Sequence, residues 1–159
     1  MNEREFYTVR GYQMLNENKL TSSMEDYMEM IYRISKENDY IRVNQLADKL
    51  NVRPSSTTKV VQKLNKLGMI HYQRYGIIQL TEEGKEIGKF LLGRHEILEG
   101  FLKNLGIKET LLKDTEMMEH DMSLNTLKSI DLLNQFLSIN PDVLEKYYAF
   151  KKNFSEDTL

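Results

Sequence analysis

Apolar residues recur at helical spacing from Met24 onward. Met24, Tyr27, Met28, Ile31 and Ile34 form one stripe, which predicts an amphipathic helix from Ser22 to about Lys36. Ser22 and Glu25 stand at capping-box spacing at its start. Val43, Leu46, Ala47 and Leu50 predict a second, shorter helix over 43–50 with those four residues buried. Asn51-Val52-Arg53 is a tight connection, and Pro54 suits the first position of a third helix, where its missing N–H costs nothing. That helix is expected to run to Gly68, a C-terminal stop. Two short helices joined by a turn of this length read as a helix-turn-helix.

The pattern then changes period. Met69–Thr81 holds two β-rich runs around Arg74-Tyr75-Gly76, with glycine able to take positive φ at the turn, and predicts a hairpin. A helix-turn-helix followed by a hairpin is a winged helix. Thr81-Glu82-Glu83-Gly84 opens a long helix expected to continue through Leu105 and to end at Gly106. Three more helical stretches are expected, at Asp114–Asp121, Ser123–Leu137 and Pro141–Asn153. Residues 1–20 show no clean period and are left unassigned. The fold class is therefore mainly α, with a small hairpin wing in its first half.

Composition sets wide bounds and excludes a few classes. The 159 residues are 40% apolar and 29% charged, enough for one domain or two small ones with a real core. No apolar run is long enough to span a bilayer, and the first residues lack the features of a secretion signal. The chain has no cysteine, which excludes disulfides and thiolate ligands and fits a reducing, cytoplasmic location.

Charge changes the picture more. The net formal charge is −2, but Arg42–Tyr75 carries seven basic residues against one acidic, or +6. The rest holds fifteen basic and twenty-three acidic residues, or −8. Such asymmetry suits phosphate contact in one segment and a different task in the other.

On a helical wheel for the helix after Pro54, Thr57, Val60, Val61, Leu64 and Leu67 share the core side. Ser55, Lys59, Gln62 and Lys66 lie opposite, flanked by Arg53, Ser56, Thr58 and Lys63. Hydroxyl, amide and lysine groups near the N-terminal end of such a helix suit base edges, while flanking cations serve phosphate. Candidate DNA contacts are thus Arg53, Ser55, Ser56, Thr58, Lys59, Gln62 and Lys63, with Arg74 on the wing. The plain alternative is a polar face that meets water.

Three further stretches offer oxygen and imidazole ligands. Asp26 and Glu29 share one face of the first helix, opposite the Met24/Met28/Ile31 stripe. Glu116, Glu119 and His120 gather at offsets i, i+3 and i+4, and His95 stands in Arg94-His95-Glu96. Such a set, without thiolate, suits Mn(II) or Fe(II) and does not exclude Zn(II) or Co(II). Acidic residues at this spacing are also common on solvated faces, and a lone histidine is often structural. His71 reads as an ordinary wing residue.

Five segments in order resemble a known family: Ser23–Glu29, Arg53–Leu64, Leu80-Thr81 with Gly84–Gly88, Arg94-His95-Glu96, and Glu119-His120. Together they are similar to the diphtheria-toxin-repressor (DtxR) family, over roughly residues 22–140, and to its manganese-sensing, MntR-like branch. The resemblance implies a homodimeric winged-helix repressor that binds operators of metal-uptake genes when loaded with metal. It implies a two-ion site per protomer built from Asp26, Glu29, His95, Glu116, Glu119 and His120, with Glu116 and Glu119 bridging. Mn(II) is the expected ion, with Fe(II), Zn(II), Co(II) or Cd(II) as alternatives. Carboxylates at Asp26 and Glu119, where iron sensors tend to carry Met and Cys, point to the manganese branch, as does the lack of an SH3-like domain after the helices.

The implied organisation is an extension (1–21), a winged-helix DNA-binding domain (22–81), a helical metal-binding and dimerisation domain (82–153) and a tail (154–159). The extension departs from the family's short members, and the loop Lys108–Leu112 is about a residue shorter than theirs, which bears on the placing of Glu116. Two other functions are set against this one. One is a metal-independent winged-helix regulator with a small-molecule pocket. The other is a dinuclear metal enzyme, for which the Glu-x-x-His pairing on two helices is incomplete.

Overall fold

The computed structural model describes residues 11–17 and 20–156, with side chains as far as Phe154. The parts of the expected extension and tail at 1–10, 18–19 and 157–159 lie outside the described residues. Two compact units are present, Met1–Gly93 and Arg94–Leu159, and the boundary falls inside one long helix.

In the first unit, residues 11–17 are helical (α1). Then follow α2 (Ser22–Ser35), β1 (Ile41–Arg42), α3 (Val43–Leu50), α4 (Pro54–Lys66), β2 (Ile70–Gln73), a 3₁₀ turn (Arg74–Gly76) and β3 (Ile77–Leu80), before α5 (Glu82–Asn104) begins. The strands form one antiparallel sheet in the order β1-β3-β2, with Ile78 opposite both Ile41 and Tyr72. The expected hairpin is the β2–β3 pair. The strand β1 was not expected, because two residues carry no readable alternation and pair only through contact with β3.

The core of this unit is made by Met28 and Ile31 of α2, Leu46 and Ala47 of α3, Val61 and Leu64 of α4, and Ile78 of β3, all fully buried. Each large side chain so buried contributes about 1.5–3 kcal/mol of transfer free energy. Three side chains expected inside are only partly so: Leu50 and Val60 are half-buried and Leu67 is exposed. Leu50 and Leu67 stand at the ends of their helices, where the packed stripe runs out.

Local chemistry sets the boundaries. Thr21, not Ser22, caps α2: it is extended, and its hydroxyl accepts from Met24 N at 3.3 Å. Ser22 is already helical, and a cap must stand outside the helix, so the expected Ser22/Glu25 box is not made. At the α3–α4 turn Asn51 takes the left-handed conformation (φ 53°), and Val52 N donates to Ala47 O at 3.0 Å to close the helix end. Pro54 opens α4 as expected.

At the wing tip Tyr75 and Gly76 both take positive φ. Asn65 Oδ1 accepts from Tyr72 N at 2.9 Å and pins the wing to the end of α4. Thr81 then joins wing to α5. Its hydroxyl donates toward Gly68 O and Met69 O (2.7 and 3.0 Å) and accepts from Gly84 N at 3.0 Å.

Helix α5 lies close on its neighbours in this unit. A Cβ on Gly84 would sit 1.9 Å from Met69 O, and one on Gly88 would sit 2.5 Å from Tyr32 Cβ. Helix α1, unassigned from sequence, also packs on α5, with Leu15 buried and the Tyr12 and Phe90 rings edge-to-face at 6.2 Å.

The second unit holds the end of α5, then α6 (Leu111–Glu119), α7 (Leu124–Ile139) and α8 (Pro141–Glu156). Helix α6 starts three residues before the expected Asp114 and stops at Glu119, with His120 as its C-cap. Ser123 caps α7, accepting from Thr126 N at 3.3 Å. Asn134 donates to Ile97 O at 2.8 Å, and Tyr148 and Lys151 of α8 donate to Lys103 O and Leu105 O (3.1 and 2.7 Å). A cation at these last carbonyls of α5 also complements the helix dipole. Among the described residues, no helix is long and apolar enough to cross a membrane.

Candidate metal centre and nucleic-acid interface

The second unit brings three of the expected ligands together. His95 is buried on α5, Glu119 ends α6 at 2% exposure, and His120 follows it half-buried. His95 Nδ1 lies 3.2 Å from Glu119 Oε2, and His120 Nε2 lies 4.0 Å from Glu119 Oε1. Each oxygen of one buried carboxylate thus faces a different imidazole. The first distance is a hydrogen bond; the second is too long for one.

A carboxylate this buried is costly to keep ionised without positive charge or donors beside it. Two imidazole nitrogens and two carboxylate oxygens converging in so small a volume are also a borderline-to-hard donor set. The site's chemistry therefore fits a first-row divalent ion held by nitrogen and oxygen. Thr115, fully buried one turn before Glu119, donates to Leu111 O at 2.8 Å and makes no demand on the site.

The other expected ligands are placed as follows. Asp26 and Glu29 both stand on α2, Asp26 exposed and Glu29 buried at 8% exposure. Glu29 Oε1 accepts from Arg33 Nε at 2.9 Å and from Arg33 Nη2 at 2.6 Å. Arg33 was missed from sequence, although a Glu four residues ahead of an Arg on a helix is a readable pairing signal. Glu116 is exposed and joins no cluster of three or more ligand-type side chains among the described residues.

The reading face of α4 is open. Arg53, Ser55, Ser56, Lys59, Gln62 and Lys63 are exposed, as are Arg74 and His71 on the wing. Thr58 is half-buried and its hydroxyl donates to Pro54 O at 3.0 Å, so only its oxygen lone pairs are available to a ligand. Thr57 faces inward, its hydroxyl 3.3 Å from the Tyr27 hydroxyl, and this fixes the roll of α4 against α2. The free face therefore presents short hydroxyls first, then amide and ammonium groups.

A basic winged helix continued by a helix into a unit with an imidazole–carboxylate cluster defines a DNA-binding regulator of the metal-responsive class. Comparison with known proteins makes the assignment narrower. Residues 19–78 match the model of the iron dependent repressor N-terminal DNA binding domain, and residues 81–147 match its metal binding and dimerisation domain.

The chain is 43% identical over 132 residues to the HTH-type transcriptional regulator MntR of Lysinibacillus sphaericus (strain C3-41), covering 82% of this chain and 95% of that protein. It is 47% identical over 133 residues to the MntR of Bacillus pumilus (strain SAFR-032), covering 83% and 92%. Among solved structures it is similar to the manganese regulator SloR, with a TM-score of 0.62 at 26% identity over 72% of this chain and 53% of that one.

The chain belongs to the iron-dependent repressor (DtxR) family, as its sequence motifs implied. It is a metal-dependent, DNA-binding transcriptional repressor of the MntR-like branch and not an enzyme.

Proposed function

We propose that this protein is a manganese-activated repressor of metal-uptake genes, working in the cytoplasm as a homodimer with two Mn(II) ions per protomer. The observation that carries the reading is Glu119, buried and flanked by His95 and His120. Asp26, Glu29, His95, Glu116, Glu119 and His120 would hold the ions. Support for manganese comes from a ligand set made only of carboxylates and imidazoles in a chain without cysteine. Iron, zinc, cobalt and cadmium ions share much of this ligand chemistry and are the competitors.

The proposed domains are 22–81 for DNA binding and 82–153 for metal binding and dimerisation, preceded by the extension 1–21 and followed by the tail 154–159. The dimer reading is supported by apolar surface on the last two helices. Leu132, Phe136 and Ile139 are exposed at helical spacing on α7, as are Phe150 and Phe154 on α8. Exposed apolar side chains gathered on one helix face favour an interface.

Mechanism follows from where the ligands stand. Asp26 and Glu29 belong to a helix of the winged-helix unit, whereas His95, Glu119 and His120 belong to the helical unit. Ionised carboxylates brought together repel, so the metal-free chain resists drawing its two ligand groups to one point. Bound divalent cations supply the charge that offsets this repulsion. Holding both groups at one site would fix the separation of the two reading helices in a dimer, which must match half-sites about one helical turn of DNA apart. A tenfold gain in operator affinity requires only about 1.4 kcal/mol of coupling.

The test is a titration of Mn(II) into the protein with a labelled promoter fragment of a metal-uptake gene, read by fluorescence anisotropy. Binding should rise with metal and vanish in excess chelator. Metal-independent binding contradicts the proposal and favours a regulator with a different effector.

A further inference from the structure

The grip of Arg33 on Glu29 has consequences for the metal response. Two N–H groups of one guanidinium, Nε at 2.9 Å and Nη2 at 2.6 Å, fall on a single carboxylate oxygen, Glu29 Oε1. The residues stand four apart on α2, so the contact is made within one helix and needs no other element to form. Glu29 is buried, while the Arg33 side chain is 39% exposed. A guanidinium stays charged at every relevant pH, so it supplies permanently the positive charge that a buried carboxylate needs.

An ion and a guanidinium want the same thing from this carboxylate. Oxygen Oε1 already accepts two charge-assisted bonds, the strong kind, which draw on the same carboxylate charge that an ion would use. A second cation brought within a few ångströms of the first is repelled as well. A guanidinium held against the carboxylate also restricts the Glu29 side chain, which favours ligation by sparing rotamer entropy. That saving concerns a single side chain, whereas competition involves two charged hydrogen bonds and a cation–cation repulsion. Competition outweighs it.

We infer that Arg33 is a resident counter-cation that competes with divalent ions for Glu29 and so sets the metal concentration at which this repressor responds. The inference rests on the reading of Glu29 as a ligand. Without metal, Arg33 is a positioning residue that keeps a buried carboxylate satisfied. With metal, competition for the same carboxylate charge would add to the cost of loading.

The experiment measures Mn(II) affinity of the full chain, by the EPR signal of free Mn(II), for wild type, Arg33→Leu, Arg33→Lys, Glu29→Gln and the Glu29→Gln/Arg33→Leu double variant. Metal-free thermal unfolding is recorded for each. Arg33→Leu should bind Mn(II) about three- to tenfold more tightly, the lower figure reflecting the partial exposure of the pair. It should also unfold at a lower temperature than wild type when metal-free. Arg33→Lys keeps the charge but loses the two-pronged grip, and should fall between them; it carries the test alone should Arg33→Leu fail to fold. The double variant should gain nothing over Glu29→Gln.

Unchanged or weaker binding in the Arg33 variants, with Glu29→Gln weakened, overturns the inference and leaves the ligand reading intact. Unchanged binding in Glu29→Gln removes Glu29 from the site and the inference with it.

Discussion

His95 Nδ1 and Glu119 Oε2 lie 3.2 Å apart, joining α5 to the last residue of α6 across 24 positions of sequence. Both are buried, so the contact is shielded from water, and the other oxygen of Glu119 faces His120. One carboxylate thereby organises two imidazoles. Replacing Glu119 by Ala removes the group between them. Mn(II) affinity should fall by more than the roughly 10–100-fold typical of losing a mere supporting partner. Isothermal titration of wild type and Glu119→Ala measures this, and metal-dependent operator binding should be lost in parallel.

Gly84 fixes how α5 leaves the wing. Its missing side chain is required because a Cβ there would overlap Met69 O, a backbone atom held by the Thr81 hydroxyl. Gly84→Ala must displace the wing or the first turn of α5. Overpacking of this kind costs about 1–3 kcal/mol or somewhat more. Urea unfolding should show the unfolding free energy lowered by that amount, whereas Gly93→Ala, where a Cβ meets nothing within 4 Å, should not be lowered comparably.

The exposed face of α4 and the wing offer two kinds of contact. Lys63→Ala and Arg74→Ala remove flank and wing cations suited to phosphate. Each should weaken binding to operator and unrelated DNA alike and reduce the salt dependence of log K by about one. Gln62→Ala removes an amide suited to a base edge. It should cost about 1–3 kcal/mol on the operator and little on unrelated DNA. Anisotropy titrations at several salt concentrations separate the two outcomes.

Leu132, Phe136 and Ile139 leave an apolar stripe open on α7, with Ile139 78% exposed. If a second copy covers the stripe, a carboxylate placed there is buried without a partner. Sedimentation velocity should show wild type as a dimer, and Leu132→Glu/Ile139→Glu shifted toward monomer at the same concentration. A monomeric wild type, or an unaffected variant, removes α7 from the interface.

Much of the first unit was legible because its signals are local. Pro54 opens α4, the Tyr75-Gly76 tip takes positive φ, and the buried stripes of α2 and α3 follow a single period. What escaped depends on distant partners. Strand β1 exists only because Ile41 pairs with Ile78, the wing is pinned by an Asn65–Tyr72 bond, and α1 is held by Phe90.

Candidate ligands were legible as residue types at helical spacing, and the structure brings His95, Glu119 and His120 near one another. The burial of Glu29 and its capture by Arg33 were not read, since a wheel shows which residues share a face but not what covers it. The hydroxyls of Thr21 and Ser22 illustrate a smaller ambiguity: either could cap α2 by composition, and only backbone conformation chose the first.

The central claim is that carboxylates and imidazoles far apart in sequence hold divalent ions together. Crystals grown with Mn(II), measured on both sides of the manganese absorption edge, test it most directly. The account predicts two anomalous peaks per protomer, with His95, Glu119 and His120 among the coordinating side chains and Asp26, Glu29 and Glu116 as the proposed remaining ligands. Peaks only at exposed acidic surface, with the His95–Glu119 hydrogen bond unchanged and no ion beside it, contradict it.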